Sequence, residues 1–224
     1  GPDIFYKGEI AERISEDMLA NGGLMSYSDL SSYATTRTNP LSSKYRNFDI
    51  YANHPPGGGV MLLEMLNVLE NFNLRDMTHN SSEYIRIVSE TMKKATLDKE
   101  MFVGDPLFID VPLEKLLSKE YASEVSNKIK KNERTFINRV TQIEPKNTTH
   151  VSVIDQEGNC VTMTHSLGMP SGVITDGLGF MFNGCMAVFD PRPGRAGSIA
   201  PGKSRFSSLA PTIVTKDGNP HIIL

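Results

Sequence analysis

The sequence predicts an α+β fold, a layered αββα sandwich with helices first and strands later. Three observations predict it. Apolar residues recur at helical spacing from residue 1 to about 130. From residue 149 on they alternate with polar residues instead. A polar stretch, "KNERTFINRVTQIEPKN", separates the two patterns and reads as a flexible connector. The division therefore runs at 147/148: residues 1–147 are mostly helical and end in a linker, and residues 148–224 are mostly β.

Each element has its own local reason. Ile10, Ala11, Ile14, Met18 and Leu19 lie on one side of a helix that Asn21-Gly22-Gly23 stops. Ser28-Asp29-Leu30 opens a short helical turn ending near Tyr33. Phe48, Ile50 and Tyr51 mark a strand. Pro55-Pro56-Gly57-Gly58-Gly59 then breaks the chain ahead of "VMLLEMLNVLENF", a strongly apolar helix. Ser81-Ser82 caps a long helix reaching about Met101, with Tyr84, Ile87, Val88, Met92 and Ala95 on its buried face. Gly104-Asp105-Pro106 is a turn, and short helices follow near 112–119 and 120–130. In the second half, Val151 and Val153 and then Val161 and Met163 alternate with polar residues on either side of the turn Asp155-Gln156-Glu157-Gly158-Asn159, a β-hairpin. Leu178, Phe180 and Phe182 indicate another strand. A second hairpin joins Thr212–Val214 to His221–Leu224 through Lys216-Asp217-Gly218-Asn219. The chain opens on Gly1-Pro2-Asp3 and stops inside an apolar strand at Leu224, which points to a fragment of a longer protein.

Composition narrows the function. Hydrophobic residues make up 39% and charged residues 22%, enough apolar material for a real core. A net charge of −3 offers no electrostatic case for a nucleic-acid partner. No apolar run approaches the roughly 18 residues of a membrane span. Two cysteines, Cys160 and Cys185, make neither a disulfide framework nor a zinc site, and read as half-buried strand residues. The five histidines include no i, i+4 pair beside a carboxylate, so no metal or other cofactor is expected.

Several motifs carry competing readings. Gly57-Gly58-Gly59 is either a phosphate cradle or a tight turn allowing close backbone packing; without GxGxxG spacing or a P-loop lysine, the turn is favoured. Asn80-Ser81-Ser82 and Asn147-Thr148-Thr149 match the glycosylation pattern, but such triplets arise by chance. Ser207-Ser208 is a polar loop entering a strand, or a set of hydroxyls for an anionic group. A Ser-His-Asp triad from Ser166 and His165, or from His150 and Asp155, is disfavoured, because strand neighbours point to opposite faces. Thr148 starts the first hairpin. If the Asn147–Thr148 bond were cut, its α-amine, with a pKa near ~7.7–8, would supply a base beside its own hydroxyl. Composition alone favours an ordinary Thr-rich strand entrance instead.

The segments "GEIAERISEDMLANGGLMSYSDLSSY", "NHPPGGGVMLLEMLNVLENFNL", "ATLDKEMFVGDPLFIDVP", "TTHVSVIDQEGNCVTMTHS" and "PGKSRFSSLAPTIVTKDGNP" resemble, in order, the γ-glutamyltranspeptidases. These are N-terminal-nucleophile hydrolases that mature by cutting themselves before a threonine. The resemblance implies a partial four-layer αββα sandwich. It implies that residues 1–147 are the C-terminal part of a large subunit and 148–224 the N-terminal part of a small one. It implies Thr148 as nucleophile, Ser166 as a hydroxyl hydrogen-bonded to it, and Ser207 and Ser208 as holders of the substrate's α-carboxylate. Partners would be a small γ-glutamyl or other amide substrate and the remainder of the proenzyme. Family members are often periplasmic or extracellular, which leaves this chain's compartment open. Typical γ-glutamyl enzymes carry Asn, Gln and Asp where Gly168, Cys185 and Val188 stand here. Those side chains grip the donor's ammonium and carboxylate, so their absence points towards the branch that includes acylases and amidohydrolases, or to an uncleaved non-catalytic relative. Asp190, two residues past Val188, is a candidate replacement for the lost Asp.

Overall fold

A computed structural model of the chain describes residues 1–137 and 148–224, which form two compact units. The first unit comprises Gly1–Thr38 and Leu167–Gly184. It holds α1 (Pro2–Tyr6), α2 (Glu9–Ala20) and α3 (Tyr27–Ser31). The apolar stripe of α2 behaves as its spacing predicts at Ala11 and Ile14, which are buried with Leu30 of α3. Leu19 falls outside that stripe and is exposed. α3 begins one residue earlier than the sequence indicates, at Tyr27. Ser26 is its cap, accepting from Asp29 N while the Asp29 carboxylate accepts from Ser26 N, a reciprocal capping box.

Leu178, Phe180 and Phe182 do pack against this small core, yet they form no strand. Gly177 and Gly179 stand at φ +71° and +72°, a conformation incompatible with extended pairing, so the alternation of large residues comes from a coiled loop.

The second unit comprises residues 39–137, Thr148–Ser166 and Cys185–Leu224. Its elements are β1 (Leu41–Tyr45), β2 (Phe48–Ala52), α4 (Gly59–Leu69), α5 (Ser82–Phe102), α6 (Leu113–Leu116) and α7 (Lys119–Lys130). β3 (Thr148–Ile154), β4 (Cys160–Ser166), β5 (Thr212–Lys216) and β6 (Asn219–Ile223) complete it. β1, β2, β5 and β6 make an antiparallel sheet in the order β1-β2-β5-β6, and β3 with β4 makes a two-stranded one. The β5–β6 connection is the Asp-Gly turn that the sequence indicates, with Asp217 at φ +52° and Gly218 at φ +80°. The mixed helix-and-sheet expectation thus holds.

α4 supplies both hydrophobic cores of this unit. Val60 and Leu63 meet Leu41, Ile50, Ala52 and Val214 of the sheet. One turn further on, Val68 meets Ile87 of α5 and Ala122, Val125 and Ile129 of α7. α5 and α7 begin as their sequences demand, with Ser81 and Ser118 accepting from the amides of Tyr84 and Tyr121. The buried face of α5 is more polar than its periodicity indicates: Ile87 and Ala95 are buried beside Glu90, Thr91 and Asp98, whereas Met92 is exposed. Of the expected flexible connector, residues 138–147 lie outside the described residues. Before them, Thr135 N is tied to Glu90 Oε2 at 2.7 Å.

Glu64 of α4 is almost fully buried. Its carboxyl hydrogen-bonds Asp98, whose oxygens also accept from Lys94 Nζ and from the Tyr121 hydroxyl. Burial, and then the neighbouring Asp98, push the Glu64 carboxyl up to about 9, so at neutral pH it holds a proton and donates it. The unfolded carboxyl titrates at 4.5, and a folded pKa above that value makes folding take up a proton. The associated stability is fully present below pH 4.5 and is lost as pH rises through about 9, at up to about 1.4 kcal/mol per pH unit. Glu64→Gln, which needs no proton, is expected to flatten this pH dependence in thermal melts between pH 5 and 9. Parallel slopes in the two proteins would show that Glu64 carries no such proton.

Candidate active site

The β3–β4 hairpin is fixed by its turn. Asp155 Oδ1 accepts from the amides of Glu157 and Asn159, and Asn159 Nδ2 donates to Oδ2 at 2.8 Å. This sets the register Thr148↔Ser166, His150↔Thr164, Ser152↔Thr162. Side chains alternate between faces, so these six share one polar face, while Val151, Val153, Val161 and Met163 share the other and are exposed.

On the polar face Thr148 Oγ1 donates to Ser166 Oγ at 3.1 Å. The next row is filled by His150, whose Nδ1 pairs with Thr164 Oγ1 at 2.8 Å and whose Nε2 lies 3.0 Å from Ser152 Oγ and 3.1 Å from Thr162 Oγ1. Its partners are hydroxyls and not Asp155, whose carboxylate is held low by Asn159, so the His150–Asp155 triad does not assemble. Sequence reasoning weighed His150 only as a disfavoured triad partner of Asp155, in agreement with what is found, and missed its place in this hydroxyl row. Its spacing of two from Thr148 on a strand was the available signal. A neutral threonine hydroxyl beside a neutral serine hydroxyl is oriented but not activated. A base is still required.

Ser207 and Ser208 lie in a segment without helix or strand that runs into β5. Ser207 is half-buried and Ser208 exposed. The three glycines expected to allow close packing do so, but only Gly58 packs against this segment: a Cβ on it would come within 2.5 Å of Ser208 O, whereas one on Gly57 or Gly59 would meet Asn53, within 2.2 Å of its carbonyl oxygen for Gly59. No room is left there for a phosphate cradle on that side of the turn.

The divergent stretch passes through a single 3-10 turn, Cys185–Val188, so Cys185 sits on a turn and not on the expected strand. Val188 is exposed. Asp190 is not free to replace the missing Asp. Arg192 forks onto it, with Nε 2.9 Å from Oδ1 and Nη2 2.7 Å from Oδ2. The Arg192 hydrogen bonds hold the Asp190 carboxyl at about 2.

Comparison with known proteins bears on this arrangement. The family model described as gamma-glutamyltranspeptidase matches residues 1–224. The chain belongs to the γ-glutamyltranspeptidase family. It is 35% identical to the glutathione hydrolase proenzyme of Escherichia coli (strain K12), covering 100% of this chain and 42% of that protein. It is 36% identical to the Acylase ACY 1 proenzyme of Pseudomonas sp. (strain V22), covering 97% of this chain and 40% of that one. The chain therefore spans less than half the length of these relatives. Among solved structures, cephalosporin acylase from Bacillus halodurans matches with a TM-score of 0.83 at 28% identity, over 99% of this chain and 40% of that one. The Helicobacter pylori gamma-glutamyltranspeptidase matches with a TM-score of 0.56 at 37% identity, over 58% of this chain and 37% of that one. The family assignment agrees with what the ordered segments imply, and both glutathione hydrolases and acylases stand among the relatives.

The Asp190–Arg192 pair is directly testable. In an NMR titration Asp190 should remain ionised at pH 3, and Arg192→Ala should return its midpoint towards the ordinary 3.8. An Asp190 midpoint that Arg192→Ala leaves unmoved would remove the guanidinium as the cause.

Proposed function

We propose that the full-length protein is an N-terminal-nucleophile amidohydrolase or acyltransferase that cuts itself between Asn147 and Thr148. The observation that carries this reading is the Thr148–Ser166 hydroxyl pair at the head of β3, in a chain whose whole length matches the family. In the uncut chain Thr148 nitrogen is an amide and no base. Attack of Thr148 Oγ on the Asn147 carbonyl breaks the Asn147–Thr148 C–N bond, leaving an ester on Oγ and a freed α-amine, and water then hydrolyses the ester to the Asn147 carboxylate and the Thr148 hydroxyl. That amine, with a pKa near ~7.7–8, then serves as base for the same hydroxyl at neutral pH. Thr148 Oγ attacks the donor's amide carbonyl, the leaving amine takes the proton, and water or an amine acceptor releases the acyl group. Ser166 orients Oγ, and Ser207 and Ser208 hold a carboxylate on the donor. No step in this scheme calls for a metal or organic cofactor. The two pieces, 1–147 and 148–224 with whatever flanks them, remain together as large and small subunits. This covalent division need not coincide with the two compact units.

The donor is a small amide, and a second reading concerns its acyl part. Gly168, Cys185 and Val188 provide no anionic partner for a donor ammonium, and Asp190 is engaged by Arg192. A buried unpaired ammonium costs several kcal/mol. These residues, with the close match to a cephalosporin acylase, favour an acyl group that carries a carboxylate without an ammonium.

Intact-mass analysis of the full-length protein should show two pieces, the smaller beginning at Thr148, and Thr148→Ala should stay whole and inactive. A wild-type chain that stays uncut on long incubation would leave only the non-catalytic relative. Turnover of γ-glutamyl anilide and of glutaryl anilide, its analogue without the ammonium, separates the two donor readings. Glutaryl anilide is expected to be preferred by about tenfold or more, the factor that one lost charge partner of about 1.4 kcal/mol represents. Activity confined to the γ-glutamyl donor would overturn the acylase reading.

A further inference from the structure

Residues 201–211 have no helix or strand to hold them in place. Their position is set from outside, by the turn that connects β2 to α4. Asn53 uses both ends of its amide there: Nδ2 donates to Leu209 O at 3.0 Å, and Oδ1 accepts from Gly59 N at 2.9 Å. Gly58 N donates to the same Leu209 carbonyl at 3.0 Å, and Ser207 N donates to Pro56 O at 2.8 Å. Gly58 leaves no space for a side chain, since a Cβ would lie 2.5 Å from Ser208 O and 2.8 Å from Ser208 C, both backbone atoms that cannot swing aside. At the upstream end the buried Asp105 accepts from Ser204 N at 2.7 Å. Ser207 Oγ itself accepts from Leu209 N at 3.3 Å, which leaves its proton available to donate outward.

We propose that Asn53 and Gly58 are positioning residues for the donor's carboxylate, acting by fixing where the Ser207 and Ser208 hydroxyls stand. This rests on the reading of that serine pair as the carboxylate site. Neither Asn53 nor Gly58 touches the donor. A short serine side chain has one rotatable bond to its hydroxyl, so hydroxyl placement follows the backbone directly. Loss of the clamp therefore weakens donors that carry the carboxylate and spares those that lack it. A residue needed only for folding would affect both alike.

The test uses the full-length protein with the better of γ-glutamyl and glutaryl anilide, and its counterpart lacking the carboxylate, 4-aminobutanoyl or butanoyl anilide. The ratio of kcat/KM between the two donors measures carboxylate recognition. Asn53→Ala and Gly58→Ala should each lower that ratio about tenfold or more, mainly through KM, with kcat for the carboxylate donor within about threefold of wild type. Asn53→Asp, which keeps the acceptor for Gly59 N and loses the donor to Leu209 O, should fall between, and it serves if Asn53→Ala does not fold. Melting temperature and self-cleavage are read for each variant. A Ser207→Ala/Ser208→Ala double variant separates the two ideas. If it lowers the ratio while the Asn53 and Gly58 variants keep it, the clamp is overturned and the serine-pair reading stands. If it keeps the ratio, the serine-pair reading fails and the clamp fails with it.

Discussion

Three consecutive residues without side chains let two backbones touch. Where β2 turns into α4, residues 57–59 come so close to Asn53, Ser208 and Leu209 that any Cβ would collide with a neighbour. That contact lets α4 begin directly beside the sheet, with Val60 and Leu63 in one core and Val68 in the next. It also gives an unstructured segment, which two-thirds of the chain separates from the turn, a fixed seat. Replacing this contact with ordinary side-chain packing would push α4 away from β2 and leave the serine pair unsupported. The rest of the second unit is built outward from that seam.

Buried polarity concentrates on the same helix. Glu64 and Asn67 of α4 face α5 and α7, and each is matched by a partner that is long in sequence but short in space: Asp98 for Glu64, Ser43 and Leu117 O for Asn67. A carboxyl that keeps its proton at neutral pH can donate to a neighbouring carboxylate without like-charge repulsion. The arrangement joins three helices by hydrogen bonds with direction, where apolar contact alone would allow them to slide.

Much of the fold was legible because the signals were local. Asp155 through Asn159 and Asp217-Gly218 dictate their hairpins from within, and the symmetric placing of Val151, Val153, Val161 and Met163 about the turn sets Ser166 opposite Thr148. What escaped detection was of two kinds. β1 carries "LSSKY", with one buried apolar residue, so an edge strand shows no alternation to read. The Leu178–Phe182 alternation was real, but positive-φ glycines between the large residues cancel it as a strand signal. The roles proposed for Thr148, Ser166, Ser207 and Ser208 come from the ordered family segments and not from spacing. Asn53 and Asp105 carried no such mark, since their partners lie 156 and 99 residues away and only folding brings them together.

The hairpin register has a further consequence for how a severed chain behaves. Thr148 is the first residue of β3, and its partner in the ladder is the last residue of β4. A break on its N-terminal side removes none of the seven cross-strand pairs. The new terminus would be held by the neighbouring strand in the place it occupied before, moored along its whole length while its leading end is free. Covalent continuity and positional order are thus uncoupled at this residue: the chain can lose the first and keep the second.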